Sequence, residues 1–267
     1  FSFFIKKILS LDYFKVYRSF NVTKFFYPKR NIKIDKKEIR NKFFKLKKKS
    51  DIFHIHILGI YVGDLIYDSY LRQFMLPTID IKSKKLLEHF FLFYELFYFW
   101  KNYFDNNIVK AVIIHDASYE YGIISRIASS KNIPTYVGAE TRLHKLDKEH
   151  INIFEMQNYR KQFNLYSDEE KIIRRKKAKY LLDMKFSGKK TIENKVSNLP
   201  ETKLFGNITF KNKVLKNNSK TNCLIAAHHF SDAPNAWGRL LFDDFYDWID
   251  FLGKLSQELD YEWYIKF

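Results

Sequence analysis

The chain has 267 residues, 46% of them hydrophobic, with 47 Lys and Arg against 30 Asp and Glu, a formal net charge of +17 and one cysteine. That length and apolar content suit one large or two ordinary globular domains, and the lone Cys223 excludes an internal disulfide and fits a core thiol in a reducing compartment. The positive charge does not point to nucleic acid. Lys is enriched together with Ile, Asn, Phe and Tyr, all residues of A/T-rich codons. The excess is spread over 29–49, 171–190 and 203–220 without zinc-finger, RNP or helix-turn-helix spacing, so no nucleic-acid partner is expected. A peripheral, electrostatic contact with an anionic membrane surface suits the charge better.

In chain order, residue 1 is Phe rather than an initiator Met, and Phe3–Phe20 reads as helix rather than as a leader. Lys residues interrupt any continuous apolar core there, and no small-residue cleavage site follows. Residues 1–50 predict one or two helices and a Lys-rich lead-in to a first strand, Asp51–Ile60. His54 and His56 would share one face of that strand, and with no third ligand at a suitable spacing they are expected to be structural. Gly59–Arg72 reads as a turn opening into a helix, with Asp64 near its positive end and Asp68 and Arg72 at i, i+4. Its G-x-x-x-G spacing is not a dinucleotide fingerprint. The apolar run Phe90–Trp100 contains Glu95 and falls short of the roughly 20 residues that span a bilayer, so it predicts a buried helix.

The next unit is clearer. Val109–His115 predicts a buried strand, Asp116–Glu120 a loop, Tyr121–Ser130 a helix and Ile133–Val137 a second, parallel strand. His115, Asp116, Ser118, Tyr119 and Glu120 then fall at the carboxyl end of a strand, where open α/β sheets bind ligands. Beyond Gly138–Arg142 the pattern reads as helical and charged. Ser167 with Glu170 predicts a capping box for a helix reaching about Lys185, stopped by Gly188. The Lys- and Asn-rich stretch that follows reads as an interdomain crossing. Cys223–Ala227 then predicts a buried strand, His228–Pro234 a polar loop, Asp243–Glu258 an amphipathic helix and Tyr261–Phe267 another strand. A βαβ unit of this kind needs further strands to cover it, so the sequence is expected to be a fragment that stops inside a second domain.

Two stretches resemble bacterial capsule and surface-polysaccharide biosynthesis proteins of the GT-B glycosyltransferase type. They are Gly59–Arg72, with its Gly-Asp-Leu-Ile-Tyr-Asp-Ser-Tyr-Leu-Arg run, and Ala226–Pro234 followed by Leu241–Tyr246. The similarity extends over most of the chain from about residue 50, with one motif in each expected domain. In related proteins the strand matching 262–267 continues into Lys-x-His-Pro. Lys266 is present here without the His-Pro, so most of a donor-binding half is expected to lie outside this sequence.

The resemblance implies an α/β fold with an N-terminal Rossmann-like domain over 1–200, a crossing at 201–220 and the start of a second Rossmann-like domain at 221–267. It implies transfer of a sugar from a nucleotide-activated donor to a glycan or lipid-linked glycan acceptor, in the cytoplasm at the inner face of the membrane. No metal or bound cofactor is implied, the nucleotide sugar being a substrate. The general base would be Asp64, with His115 and Glu120 next in order. Gly63, Tyr67, Arg72, Tyr119, His228, His229, Ser231, Asp232 and Arg239 would hold substrate. Gly63, Asp64, His115, Tyr119 and Glu120 would then face His228, Ser231 and Asp232 across a common gap. A sugar-nucleotide epimerase of the same fold and a noncatalytic assembly protein remain open alternatives. A hydrolase triad does not fit, because His228, Ser231 and Asp232 crowd into five residues and no G-x-S-x-G occurs.

Overall fold

The computed structural model describes residues 14–25, 28, 32–139, 142–152, 159–186, 219–236, 238 and 240–266. After a short helical stretch over 14–19, helix α1 spans Lys36–Phe43. Asp35 starts α1 by accepting the backbone N–H groups of Lys37 and Glu38, both at 2.9 Å. Ile39 and Phe43, four residues apart, are its buried stripe, and Phe43 meets Phe90 edge-on at 5.2 Å.

The expected strand Asp51–Ile60 does not form. Residues Lys49–His54 make a 3₁₀ helix, and the Asp51 carboxylate accepts the N–H groups of Lys47 and Lys48 at 2.7 and 3.1 Å. Only β1 (His56–Ile57) is extended, and it pairs antiparallel with β2 (Ile60–Tyr61). Leu58 and Gly59, with φ of 52° and 78°, supply the positive dihedrals that a two-residue hairpin requires. Local side-chain capping and a tight turn thus override the alternating pattern, and His54 and His56 do not share a strand face.

Helix α2, Gly63–Phe74, is the centre of the molecule, and every residue from Gly63 to Leu71 is buried. It packs against the 3₁₀ helix before it and against α3, Lys84–Asn106. Helix α3 turns inward Leu86, Phe90, Phe93, Tyr94, Phe97 and Phe104, so the apolar run does form a buried helix. No helix among the described residues is long and apolar enough to cross a membrane.

β3 (Val112–Ile114), α4 (Gly122–Ser130) and β4 (Thr135–Ala139) make the expected βαβ unit, with β3 and β4 parallel and Val112 opposite Thr135. The helical reading beyond residue 142 is corrected. Arg142–Leu146 is β5, which returns antiparallel to β4 and buries Leu146 while Leu143 and Lys145 face out. That is the two-residue alternation of a strand covered on one face, masked in the sequence by its charged neighbours. Two further helices follow, α5 (Tyr159–Asn164) and α6 (Asp168–Phe186). The capping box at the start of α6 is present, with Ser167 Oγ accepting from Glu170 N at 3.2 Å and Glu170 accepting from Ser167 N at 3.1 Å. The predicted stop at Gly188 and all but the end of the 201–220 crossing lie outside the described residues.

At the C-terminal end β6 (Asn222–Ala226), α7 (Phe245–Glu258) and β7 (Glu262–Lys266) form a second βαβ unit, with Asn222 opposite Glu262 in a parallel pair. β6 is not the buried strand expected: Ile225 is buried, Leu224 is 65% exposed and Cys223 is only half-buried. The described strands therefore form three small sheets, of two, three and two strands. The chain is a mixed α/β protein.

Two glycines test this packing. A Cβ on Gly63 would lie 2.1 Å from the Ile52 carbonyl oxygen, where backbone cannot yield, whereas one on Gly253, within α7, would meet nothing within 4 Å. Gly63→Ala is expected to destabilise by about 3 kcal/mol and Gly253→Ala to stabilise by about 0.5–1 kcal/mol in urea denaturation. Equal midpoints for the two variants would contradict the placement of α2.

Candidate functional site

The carboxyl ends of the two βαβ units meet. After β3 the chain runs through His115 into an Asx turn, in which Asp116 Oδ1 accepts Ser118 N at 2.7 Å, and then into the 3₁₀ turn Tyr119–Tyr121. Tyr119 holds φ at 53°, a region costly for an aromatic residue and kept only where the surroundings fix it. Those surroundings come from the other unit. The Tyr119 hydroxyl donates to Asp232 Oδ1 and accepts the Ala233 N–H at 3.0 Å, while its ring packs with Ala233 and Ala236. The Arg72 guanidinium lies over the same ring, 4.2 Å from its centre.

Other described residues of the C-terminal unit also meet α2. Asn235 donates to both oxygens of Asp68, through Nδ2 at 2.6 Å and its backbone N–H at 3.3 Å. Ser231 is buried, with Oγ 3.6 Å from Met75 Sδ and 3.0 Å from His229 Nδ1. Asp244 caps α7 by accepting Asp247 N at 3.0 Å. Its second oxygen accepts from the Tyr67 hydroxyl at 2.6 Å, Thr78 Oγ1 at 2.6 Å and Lys49 Nζ at 2.9 Å. Lys49 also reaches Asp247 at 2.6 Å.

Electrostatics follow from these contacts. Burial raises the Asp244 carboxyl toward the neutral form, but Lys49, Thr78, Tyr67 and the Asp247 N–H outweigh it and hold the group below the usual carboxylate range. Asp68 moves the other way, pushed well up by burial, with Asp64 adding to the rise against the donors of Asn235 and the charge of Arg126. At Asp232 burial is again outweighed, by the Tyr119 hydroxyl, the Ala233 N–H, His228 and Arg72, and the carboxylate is held down. The Tyr119 hydroxyl is pushed up to about 12 by burial and by Asp232.

Each expected site residue except Arg239 has a definite place. Gly63 is shut in by the Ile52 carbonyl and serves packing. Asp64 is buried in a two-toothed ion pair with Arg126 of α4, whose Nη1 also donates to the Tyr61 carbonyl at 2.9 Å. Both its oxygens are occupied, so this geometry makes Asp64 an anchor between α2 and α4 and leaves no face for an acceptor hydroxyl. Tyr67 is buried on Asp244 and also does not line an open surface.

Arg72, His115 and Glu120 do line the surface around Tyr119. His115 is exposed, its ring 5.0 Å from that of Tyr121, and Glu120 is half-buried. His228 stacks on Phe245 at 4.6 Å with Nε2 3.9 Å from Asp232 Oδ2, and His229 is exposed. Arg239 lies outside the described residues. Of the residues expected to face each other across a gap, Tyr119 and Asp232 are in direct contact, Ser231 meets Met75 instead, and Gly63 and Asp64 are taken up by Ile52 and Arg126. The expected i, i+4 pair of Asp68 and Arg72 splits, one turning to Asn235 and the other to Tyr119.

Lys49, Thr78, Arg126, Asn235 and Asp244 were not among the expected site residues. Arg126 had a signal in the sequence, as the one charge in the apolar helix Gly122–Ser130, and Asp244 had another, as an Asp opening an amphipathic helix. Lys49 had none amid its lysine neighbours. What the arrangement offers is a polar surface of imidazoles, a guanidinium and an ionised carboxylate around one strained tyrosine, able to bind a phosphate and take up a proton. No family model, no curated protein and no solved structure matches the chain.

Replacing Asp244 by Ala would remove the cap, leave the buried Tyr67 hydroxyl without its acceptor and leave Lys49 with Asp247 and Thr78 alone, an expected loss of about 3 kcal/mol at pH 7 in urea denaturation. A depressed carboxyl stabilises fully above its unfolded value, near 4, and stops doing so as pH falls through the lower folded value. The difference between parent and Asp244→Ala should therefore shrink in acid. A difference that is small at pH 7, or that grows below pH 4, would contradict the Asp244 cluster.

Proposed function

We propose that the chain is a glycosyltransferase-like protein of surface-polysaccharide biosynthesis, built on the GT-B plan of two Rossmann-like units, that moves a sugar from a nucleotide-activated donor to a glycan or lipid-linked glycan acceptor. The observation that carries this reading is the meeting of two loops, 115–121 and 228–236, each at the carboxyl end of a parallel strand in its own βαβ unit. Ligands of open α/β sheets bind at that edge, and a two-unit transferase needs the edges to face each other. The resemblance of Gly59–Arg72 and Ala226–Pro234 to capsule-biosynthesis proteins supports the same reading, because both motifs contribute residues to this junction.

In the reaction the acceptor oxygen forms a bond to the anomeric carbon, the bond from that carbon to the donor phosphate breaks, and its electron pair leaves with the nucleotide. The acceptor proton passes to a base. With Asp64 committed to Arg126, the base falls to His115 or Glu120, which stand at the exposed end of β3. Arg72 and the imidazoles of His228 and His229 meet the negative charge of the departing phosphate, and no metal has a part in the scheme.

The test is incubation of the full-length protein with a panel of labelled nucleotide sugars, with and without lipid-linked glycan acceptors. Acceptor-dependent loss of donor is expected, and His115→Ala with Glu120→Gln should slow it by roughly 10²–10⁴ with an unchanged urea midpoint. Asp64→Asn should instead lower stability and leave turnover per folded molecule near that of the parent. Donor isomerisation without acceptor would replace the transferase reading with an epimerase, and failure to turn over any donor would overturn both.

A further inference from the structure

The β3–β4–β5 sheet has a second end, opposite the junction. There the C-terminus of α4 meets the start of β4 and the end of β5, and together they border a cavity of about 450 Å³. The five residues of β4 separate it from the 115–121 loop by roughly 13 Å. One wall is Ser129, near the end of α4, which is 7% exposed. Ser125 and Ser130 of the same helix each donate to the carbonyl three residues back, at 2.9 and 2.7 Å, whereas the Ser129 hydroxyl has no partner among the described residues. A buried hydroxyl without a partner costs stability, so one kept at a cavity wall points to a ligand.

Asn132 stands beside it. Helix α4 ends with the N–H groups of Asn132 and Ile133 on the carbonyls of Ser129 and Ala128, both at 3.0 Å, and with Asn132 at φ 58°. This cap fixes the Asn132 backbone and leaves its carboxamide at the cavity without a partner among the described residues. Across the cavity Asp147 accepts the N–H groups of Glu149 and His150 at 2.9 and 2.8 Å, a turn that carries Lys148 and Glu149. Ile133 and Pro134 add apolar surface between the two sides.

This lining selects among ligands. Lys145 and Lys148 balance Asp147 and Glu149, so net charge draws in neither an anion nor a cation. An apolar ligand would leave the Ser129 hydroxyl and the Asn132 carboxamide unpaired. A sugar offers hydroxyls that pair with donors and acceptors alike, carries no charge, and can lay its C–H face on Ile133 and Pro134. We propose that the cavity between α4 and the 147–149 turn is a saccharide-binding site, with Ser129 and Asn132 on one side of the sugar and Lys148 and Glu149 on the other. It is separate from the junction of the two loops, and the inference does not depend on the glycosyl-transfer reading.

The test is a heteronuclear NMR titration of the nitrogen-labelled protein with glucose, galactose, N-acetylglucosamine and maltose, and separately with glycine and with inorganic phosphate. At least one saccharide is expected to shift the amides of 129–133 and 145–149, and neither glycine nor phosphate should do so at the same concentration. Ser129→Ala should weaken that saccharide about tenfold with an unchanged or higher urea midpoint, because the hydroxyl it removes has no partner in the fold. Asn132→Gly, which keeps the left-handed cap, and Glu149→Ala, at an exposed position, should each weaken it about three- to tenfold. Shifts at these amides produced only by glycine or phosphate, no shift there with any of the saccharides, or an affinity unchanged by Ser129→Ala or by Glu149→Ala would overturn the proposal.

Discussion

One buried carboxylate holds the two halves of this molecule in register. Asp244 caps α7 with one oxygen and with the other accepts from Lys49, Tyr67 and Thr78, which come from three different segments of the N-terminal half. Such a group is costly to bury, and only a full set of donors offsets the lost hydration. The arrangement is therefore specific: shift α7 along its axis and a charge is stranded. With α7 fixed, the preceding segment must run along α2, so that Asn235 reaches Asp68 and Asp232 reaches Tyr119. The strained backbone at Tyr119 is the far end of this chain of constraints.

Helix α2 does two jobs with neighbouring side chains of one face. Toward α4 it presents Asp64 to Arg126, which secures the first βαβ unit, and toward the C-terminal segment it presents Tyr67 and Asp68. This explains why a twelve-residue helix with three charged residues is buried over most of its length. It also explains why the most conspicuous acidic residue in the sequence is not at the surface. An acid at a helix start can serve as a cap, a ligand or an ion-pair partner, and only the position of Arg126, 62 residues away, decides between them.

Strand-helix-strand order was readable because it rests on local pattern. The apolar runs at Val112–Ile114 and Thr135–Ala139, and those at Asn222–Ala226 and Glu262–Lys266, each pair in parallel around a helix as their spacing implies. The capping box at Ser167 and the turn into Gly63 were legible for the same reason. Local pattern failed where a side chain or a turn intervened, as with Asp51 folding its neighbours into a 3₁₀ helix, and with β5 hidden among charges. Within the site, loop membership was legible for Tyr119, His228 and Asp232, since carboxyl-end loops can be placed from strand order. Their partners were not, because Lys49 and Asp244 meet across 195 residues and nothing in either neighbourhood names the other.

The account holds that the loops at 115–121 and 228–236 act as one binding surface because the Asp244 cluster keeps them together. Hydrogen exchange followed by mass spectrometry, with and without a saturating nucleotide sugar, examines this directly. Amides of both loops should slow together on addition of the ligand, although they lie more than a hundred positions apart in the chain. Protection confined to one loop, or an unchanged exchange rate in both, would contradict a shared site.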